Sequence, residues 1–210
     1  MVPRRRTLLV GTITRNQKTE AALLLAGLAA ALVSFQSWRL GAAVAAAVLV
    51  ALLGLRRGMP LPLTIAAAAA AGSALVHFAV APEHFAEWWG FGLFFVLCAE
   101  VQLGWALLLG RIRTNRMLAV GIGGSLFLVA VWGLSRTTGL PFGPEPGVPE
   151  QIGVPDVVSV VLELVTAAAC AWSVVVPNRT DARMGLPLRA LGLAPTIALT
   201  AWALIAVGAA

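Results

Sequence analysis

Long apolar runs alternate along this chain with short polar clusters. The runs fall at about Ala21–Trp38, Leu40–Leu55, Leu61–Val80, Trp88–Leu109, Met117–Leu134, Val154–Val176 and Pro187–Val207. A helix rises about 1.5 Å per residue, so roughly 20 apolar residues cross the roughly 30 Å hydrocarbon core of a bilayer. Inside that core a spanning segment must satisfy its own backbone polar groups, and uninterrupted runs of this length do so as helices. The pattern predicts an all-α polytopic transmembrane bundle of about seven helices. Only Arg39 separates the short second run from the first, which predicts a tight helical hairpin. So little sequence lies between the runs that residues 1–210 read as a single transmembrane domain.

Composition agrees: 60% of residues are hydrophobic and 11% charged, against roughly a quarter charged in soluble domains. A net charge of +6 would suggest nucleic acid in a soluble protein. Here the charge has another cause, and the implied partner is the lipid bilayer, with no nucleic acid. Basic residues collect on cytoplasmic loops. Arg4, Arg5, Arg6, Arg15 and Lys18 precede the first run, within a basic segment 1–20. Arg56 and Arg57 follow the second, Arg111, Arg113 and Arg116 the fourth, and Arg179, Arg183 and Arg189 the sixth. Thirteen of the fifteen basic residues thus share one side, while Arg39 and Arg136 lie on the other beside Glu83, Glu87, Glu145 and Glu150. This alternation predicts a cytoplasmic N-terminus and an external C-terminus.

Trp38, Trp88, Trp89 and Trp132 fall near the predicted outer boundary and Trp105 and Trp172 near the inner one, as interfacial anchors do. The basic start followed by "AALLLAGLAAALV" also has the form of a secretory signal. The spacer "TRNQKTE" and the following "SFQSW" fit an anchored first helix better. Small residues in "AAAAAAGS" (Ala66–Ser73) and "GIGGS" (Gly121–Ser125) predict close helix packing. Cys98 and Cys170 lie inside apolar runs, which argues against a disulfide framework.

The one substantial loop, residues 135–155, holds five prolines and four glycines between Gly139 and Pro155. They stop any regular helix or strand. With Phe142 and Ile152 the loop can fold back as a lid over the outer mouth of the bundle, or run as a plain solvated connection. This loop, with "HFAVAPEHFAEWWGFGLFF" before it and "VPDVVSVVLE" after it, resembles a family of small multi-pass membrane proteins of actinobacteria. The resemblance spans about His77 to Glu163. It implies a bacterial cytoplasmic (inner) membrane and attaches no activity to any residue.

Ionisable groups inside a bilayer cost about 2.5–3.5 kcal/mol each even on mild insertion scales and usually face the bundle interior. In the sixth run, Asp156, Ser159, Glu163, Thr166 and Cys170 recur every three or four residues, a single helical stripe. That stripe is expected to face protein, as a functional track or as interhelical hydrogen bonding. Pro82 suits a first helical turn, so Glu83, His84 and Glu87 are expected to begin the fourth helix, where acids complement the macrodipole. His77 lies about a turn inside the third helix and is expected beside Glu163 or Asp156. Glu100 points to the opposite side of its helix.

The topology gathers His77, His84, Asp156 and Glu163, with Arg136 as counter-ion, in the outer half of the bundle. These are the candidate site residues. Imidazoles with carboxylates bind transition metals or relay protons, and His77, His84 and Glu163 are the metal-ligand candidates. A retinal Schiff base is excluded, because the only lysine, Lys18, lies outside the bundle. A bis-histidine haem fits poorly, since His77 and His84 sit on adjoining segments. Three functions follow: binding or transport of a proton, metal ion or small solute from the outer side; a metal-dependent membrane enzyme using the same residues; or a structural subunit whose acids pair with a partner.

Overall fold

The structure is a computed structural model that describes residues 59–176 and 186–207. The first two apolar runs, the basic segment 1–20, Arg39 and Arg179 lie outside the described residues. The five later runs are all helices: α1 (Leu61–Glu87), α2 (Trp89–Leu109), α3 (Asn115–Thr137), α4 (Val154–Val175) and α5 (Leu186–Ala206). Four of them, α1 to α4, are long and apolar enough to cross a membrane. The described chain is therefore an all-α, multi-pass membrane bundle.

Helix α1 is its axis and packs against α2, α4 and α5, while α3 leans on α4. Pro60 and Pro62 start α1, where fixed φ angles help and missing N–H groups cost nothing. The alanine run then gives high helix propensity and a thin cylinder that neighbours can approach closely. Ala66 to Ala71 are at most 2% exposed. At Gly72 no side chain fits, since a Cβ there would run into the Thr200 hydroxyl of α5.

The end of α1 departs from the sequence expectation. Pro82 does not open a new helix; it sits inside α1, which continues to Glu87. A proline within a helix removes one backbone bond, and the chain tolerates this where flanking turns hold. Here His84 Nδ1 reaches back 3.0 Å to the Val80 carbonyl, and the Trp88 N–H closes the last turn on His84 O at 2.9 Å. The break comes at Trp88, whose backbone is extended (φ −162°, ψ 132°). Glu83, His84 and Glu87 therefore end α1, and the helix-start role expected for the two acids does not hold. Both acids are exposed.

Trp105 also departs from expectation, because it is a core residue and not an interfacial anchor. It is 7% exposed, and its indole Nε1 donates to the Met117 carbonyl at 3.0 Å. The ring lies against Gly121 of α3, where a Cβ would overlap it. Gly121→Val is expected to destabilise the protein by about 1–3 kcal/mol through overpacking. Thermal unfolding in detergent checks this, with Gly123→Ala as the contrast, since nothing lies within 4 Å of a Cβ there. A Gly121→Val melting point no lower than that of Gly123→Ala would contradict the packing.

The proline-rich segment folds back over the α2–α3–α4 end of the bundle. Gly139, at φ 72°, has no room for a Cβ against the Gly147 and Val148 backbone. Gly147 N donates to Leu140 O at 2.8 Å and Glu150 N to Ser135 O at 3.0 Å. Phe142 rests its ring 6.3 Å from Phe91 and 6.4 Å from Trp88. Ser135 and Arg136 belong to the last turns of α3 rather than to the loop. Ile152 takes no part in the lid, being 62% exposed.

Candidate functional site

The polar stripe of α4 faces protein. Ser159, Glu163, Thr166 and Cys170 are all buried, with Glu163 only 2% exposed. Opposite them on α1 stand Ser73 and His77, one helical turn apart and both buried. Because α1 and α4 pack directly, the polar side chains meet in two layers. Ser73 Oγ donates to Glu163 Oε1 at 2.6 Å, and Ser159 Oγ lies 3.2 Å from His77 Nε2. The layers are tied together by Ser73 and Ser159, whose hydroxyls are 3.0 Å apart.

A third helix completes the cluster. Gln102 of α2 places its Oε1 2.8 Å from His77 Nδ1, so the ring nitrogen donates there, and its Nε2 donates to Glu163 Oε1. His77 and Glu163 thus stand beside each other across the α1–α4 interface as expected, joined through Gln102 on one side and through two serines on the other. An intramembrane amide that cross-links helices in this way satisfies donors that lipid cannot. Phe95 closes the top, edge-on to His77 at 5.5 Å and against His84 at 3.9 Å.

Above this cluster, toward the proline-rich loop, lies a cavity of about 90 Å³. All five candidate residues, His77, His84, Arg136, Asp156 and Glu163, contribute to its wall. The remainder is mostly apolar and aromatic, with Phe91, Phe94 and Trp132, and the loop supplies Leu140 and Glu150. At the mouth, Arg136 bridges loop and helix: Nη1 pairs with Glu150, and Nη2 meets Asp156 Oδ1 at 2.8 Å. The other Asp156 oxygen, Oδ2, accepts from Gly153 N at 2.7 Å and so fastens the start of α4.

Four buried side-chain polar atoms among the described residues make no hydrogen bond. Three of them, Trp132 Nε1, Arg136 Nε and Glu163 Oε2, belong to residues that line this cavity. The Ser125 hydroxyl of α3, also buried, is a further donor within reach of the Glu163 carboxyl. Buried polar groups are nearly always satisfied, so the two free donors, Trp132 Nε1 and Arg136 Nε, together with the Glu163 carboxyl suit bound water or a small polar ligand in this cavity. At about 30 Å³ per water, the space suits a few waters or a solute of similar size.

No match is found for the chain among family models, curated proteins or solved structures. The site's chemistry therefore rests on its own geometry.

That geometry corrects the metal assignment. His77, His84 and Glu163 do not converge, and among the described residues no three His, Cys, Asp or Glu side chains could hold one ion. His77 uses both nitrogens on Gln102 and Ser159, and His84 spends Nδ1 on its own helix. Glu100 is exposed on the far side of α2. Sequence reading missed Gln102 as a site residue. Its signal is an uncharged amide within the apolar run of α2, on the helix face opposite Glu100.

Proposed function

We propose that this protein carries protons across the membrane by way of Glu163, exchanging them with water on the side that bears the proline-rich loop. That side is the outside of a bacterial cytoplasmic membrane, on the charge distribution of the loops and on the family resemblance. The observation that carries the reading is the Glu163 carboxylate itself: 2% exposed, in the wall of a cavity, and with no ion-pair partner among the described residues, since Arg136 pairs with Glu150 and Asp156 instead. Packing glue is supplied more cheaply by an amide or hydroxyl, because a buried carboxylate with no cation beside it carries a large desolvation cost. Protonation is the cheapest way for such a group to lose its charge in a low-dielectric interior.

A metal-dependent enzyme is disfavoured by the ligand geometry, and a purely structural role by a buried carboxyl that has no ion-pair partner among the described residues. The full-length protein in proteoliposomes tests the reading. With an imposed pH gradient, internal pH is expected to change faster than in protein-free vesicles. Equal rates would overturn it.

A further inference from the structure

We infer that Ser159 and Ser73 form a two-hydroxyl proton relay between His77 and Glu163. The inference rests on the proton-binding reading of Glu163 and adds a route and a second proton-carrying residue. The five contacts of the cluster form a closed ring: His77–Ser159, Ser159–Ser73, Ser73–Glu163, Glu163–Gln102 and Gln102–His77. Each contact needs one hydrogen, and each serine owns one. With the Gln102 amide oriented as found, its oxygen toward His77, two arrangements supply every contact.

In the first, His77 is an imidazolium and Glu163 a carboxylate. His77 Nε2 donates to Ser159, Ser159 to Ser73, and Ser73 to Glu163 Oε1. In the second, both ends are neutral. Glu163 Oε1 carries the proton and donates to Ser73, Ser73 donates to Ser159, and Ser159 donates to His77 Nε2. One arrangement becomes the other when three protons each move across one hydrogen bond. No heavy atom changes partner, and the net result is transfer of one proton between His77 Nε2 and Glu163 Oε1. Placing the Glu163 proton on Oε2 instead, with His77 neutral on Nε2, leaves one serine contact without a hydrogen.

Gln102 is the fixed arm of the ring. It takes a hydrogen from His77 Nδ1 and gives one to Glu163 in both arrangements, so exchange at the imidazole is confined to Nε2. The layers are one helical turn apart, about 5.4 Å, so the relay moves charge along the helix axes, with His77 on the loop side of Glu163. The other titratable or charged groups around the ring are His84 on α1, Cys98 on α2, Arg136 on α3 and Asp156 on α4. The described side chains of α5 include none. Arg136 is already committed to Glu150 and Asp156, which leaves His77 and Glu163 as the pair the hydroxyls connect.

Proton flux of the full-length protein in proteoliposomes tests the relay, using Ser159→Ala, Ser73→Ala, Ser159→Thr and Glu163→Gln. A positioned proton-transfer group contributes at least about a hundredfold, so each alanine variant is expected to lower the flux by about that factor. Threonine, which keeps the hydroxyl, is expected to restore most of it. Equal loss in Ser159→Thr and Ser159→Ala would overturn the relay, as packing rather than the hydroxyl would then be responsible. Wild-type flux in both alanine variants, with flux lost in Glu163→Gln, would overturn the relay and leave the proton-binding reading standing. Wild-type flux in Glu163→Gln would overturn both.

Discussion

Glutamine at position 163 is expected to leave the protein folded and to abolish its proton flux. The substitution keeps the shape of the side chain and an oxygen able to accept from Ser73 and Gln102, the two donors now held by Oε1. It removes the exchangeable proton and the cost of a charge at a site 2% exposed. Melting behaviour is therefore expected to stay within about 1 kcal/mol of wild type, since an isosteric neutral replacement of a buried ion is often neutral or stabilising. Leucine makes the instructive contrast. It is cheaper than glutamate in hydrocarbon, but it strands the Ser73 and Gln102 donors at about 1–3 kcal/mol each. Melting curves should thus rank glutamine above leucine, while both variants lose flux. A leucine variant at least as stable as glutamine would contradict the bonding around Oε1.

The second large effect is expected at the mouth of the cavity. Arg136 is buried to 10% exposure and bridges Glu150 of the loop and Asp156 of α4, which are 35% and 25% exposed. Arg136→Ala removes both ion pairs and leaves two carboxylates facing each other. Fully buried pairs can lose 3–5 kcal/mol when one partner is removed, but these carboxylates are partly screened by water. About 1–2 kcal/mol is the expected loss, or a few degrees in melting temperature for a chain of this size. The lid should also loosen, because Glu150 would retain only its backbone bond to Ser135. A thiol introduced at Leu140, which lines the cavity, is expected to react faster with a soluble reagent in the Arg136→Ala background. Unchanged stability together with unchanged reactivity would show that the bridge does not hold the loop.

Much of this was legible in the chain. The boundaries of α2 to α5 follow from apolar runs alone, because hydrocarbon penalises polar residues strongly enough to mark where helices end. The buried face of α4 was legible too, since five polar residues recurring every three or four positions cannot all be hidden from lipid unless they face protein. Pro82 misled for a physical reason. Local preference places proline in a first turn, but α1 continues through it to the extended residue Trp88, whose ring packs 5.0 Å from that of Phe91. Trp105 misled likewise, because its indole partner, the Met117 carbonyl, and the space at Gly121 are supplied by another helix. The nearness of His77 to a carboxylate was legible as well, but the side chains that bridge them were not. Depth along a helix can be counted from sequence, but which of several polar side chains intervenes depends on the rotation of three helices about one axis.

The central claim is that Glu163 exchanges a proton with water on the loop side. Infrared difference spectroscopy of the full-length protein in lipid nanodiscs, recorded across a pH change, reads this at the carboxyl group itself. A carboxylic-acid carbonyl band that grows as pH falls, is present in wild type and is missing in Glu163→Gln is the result the account predicts. A band that does not respond to pH, or a pH-dependent spectrum identical in wild type and Glu163→Gln, would contradict it.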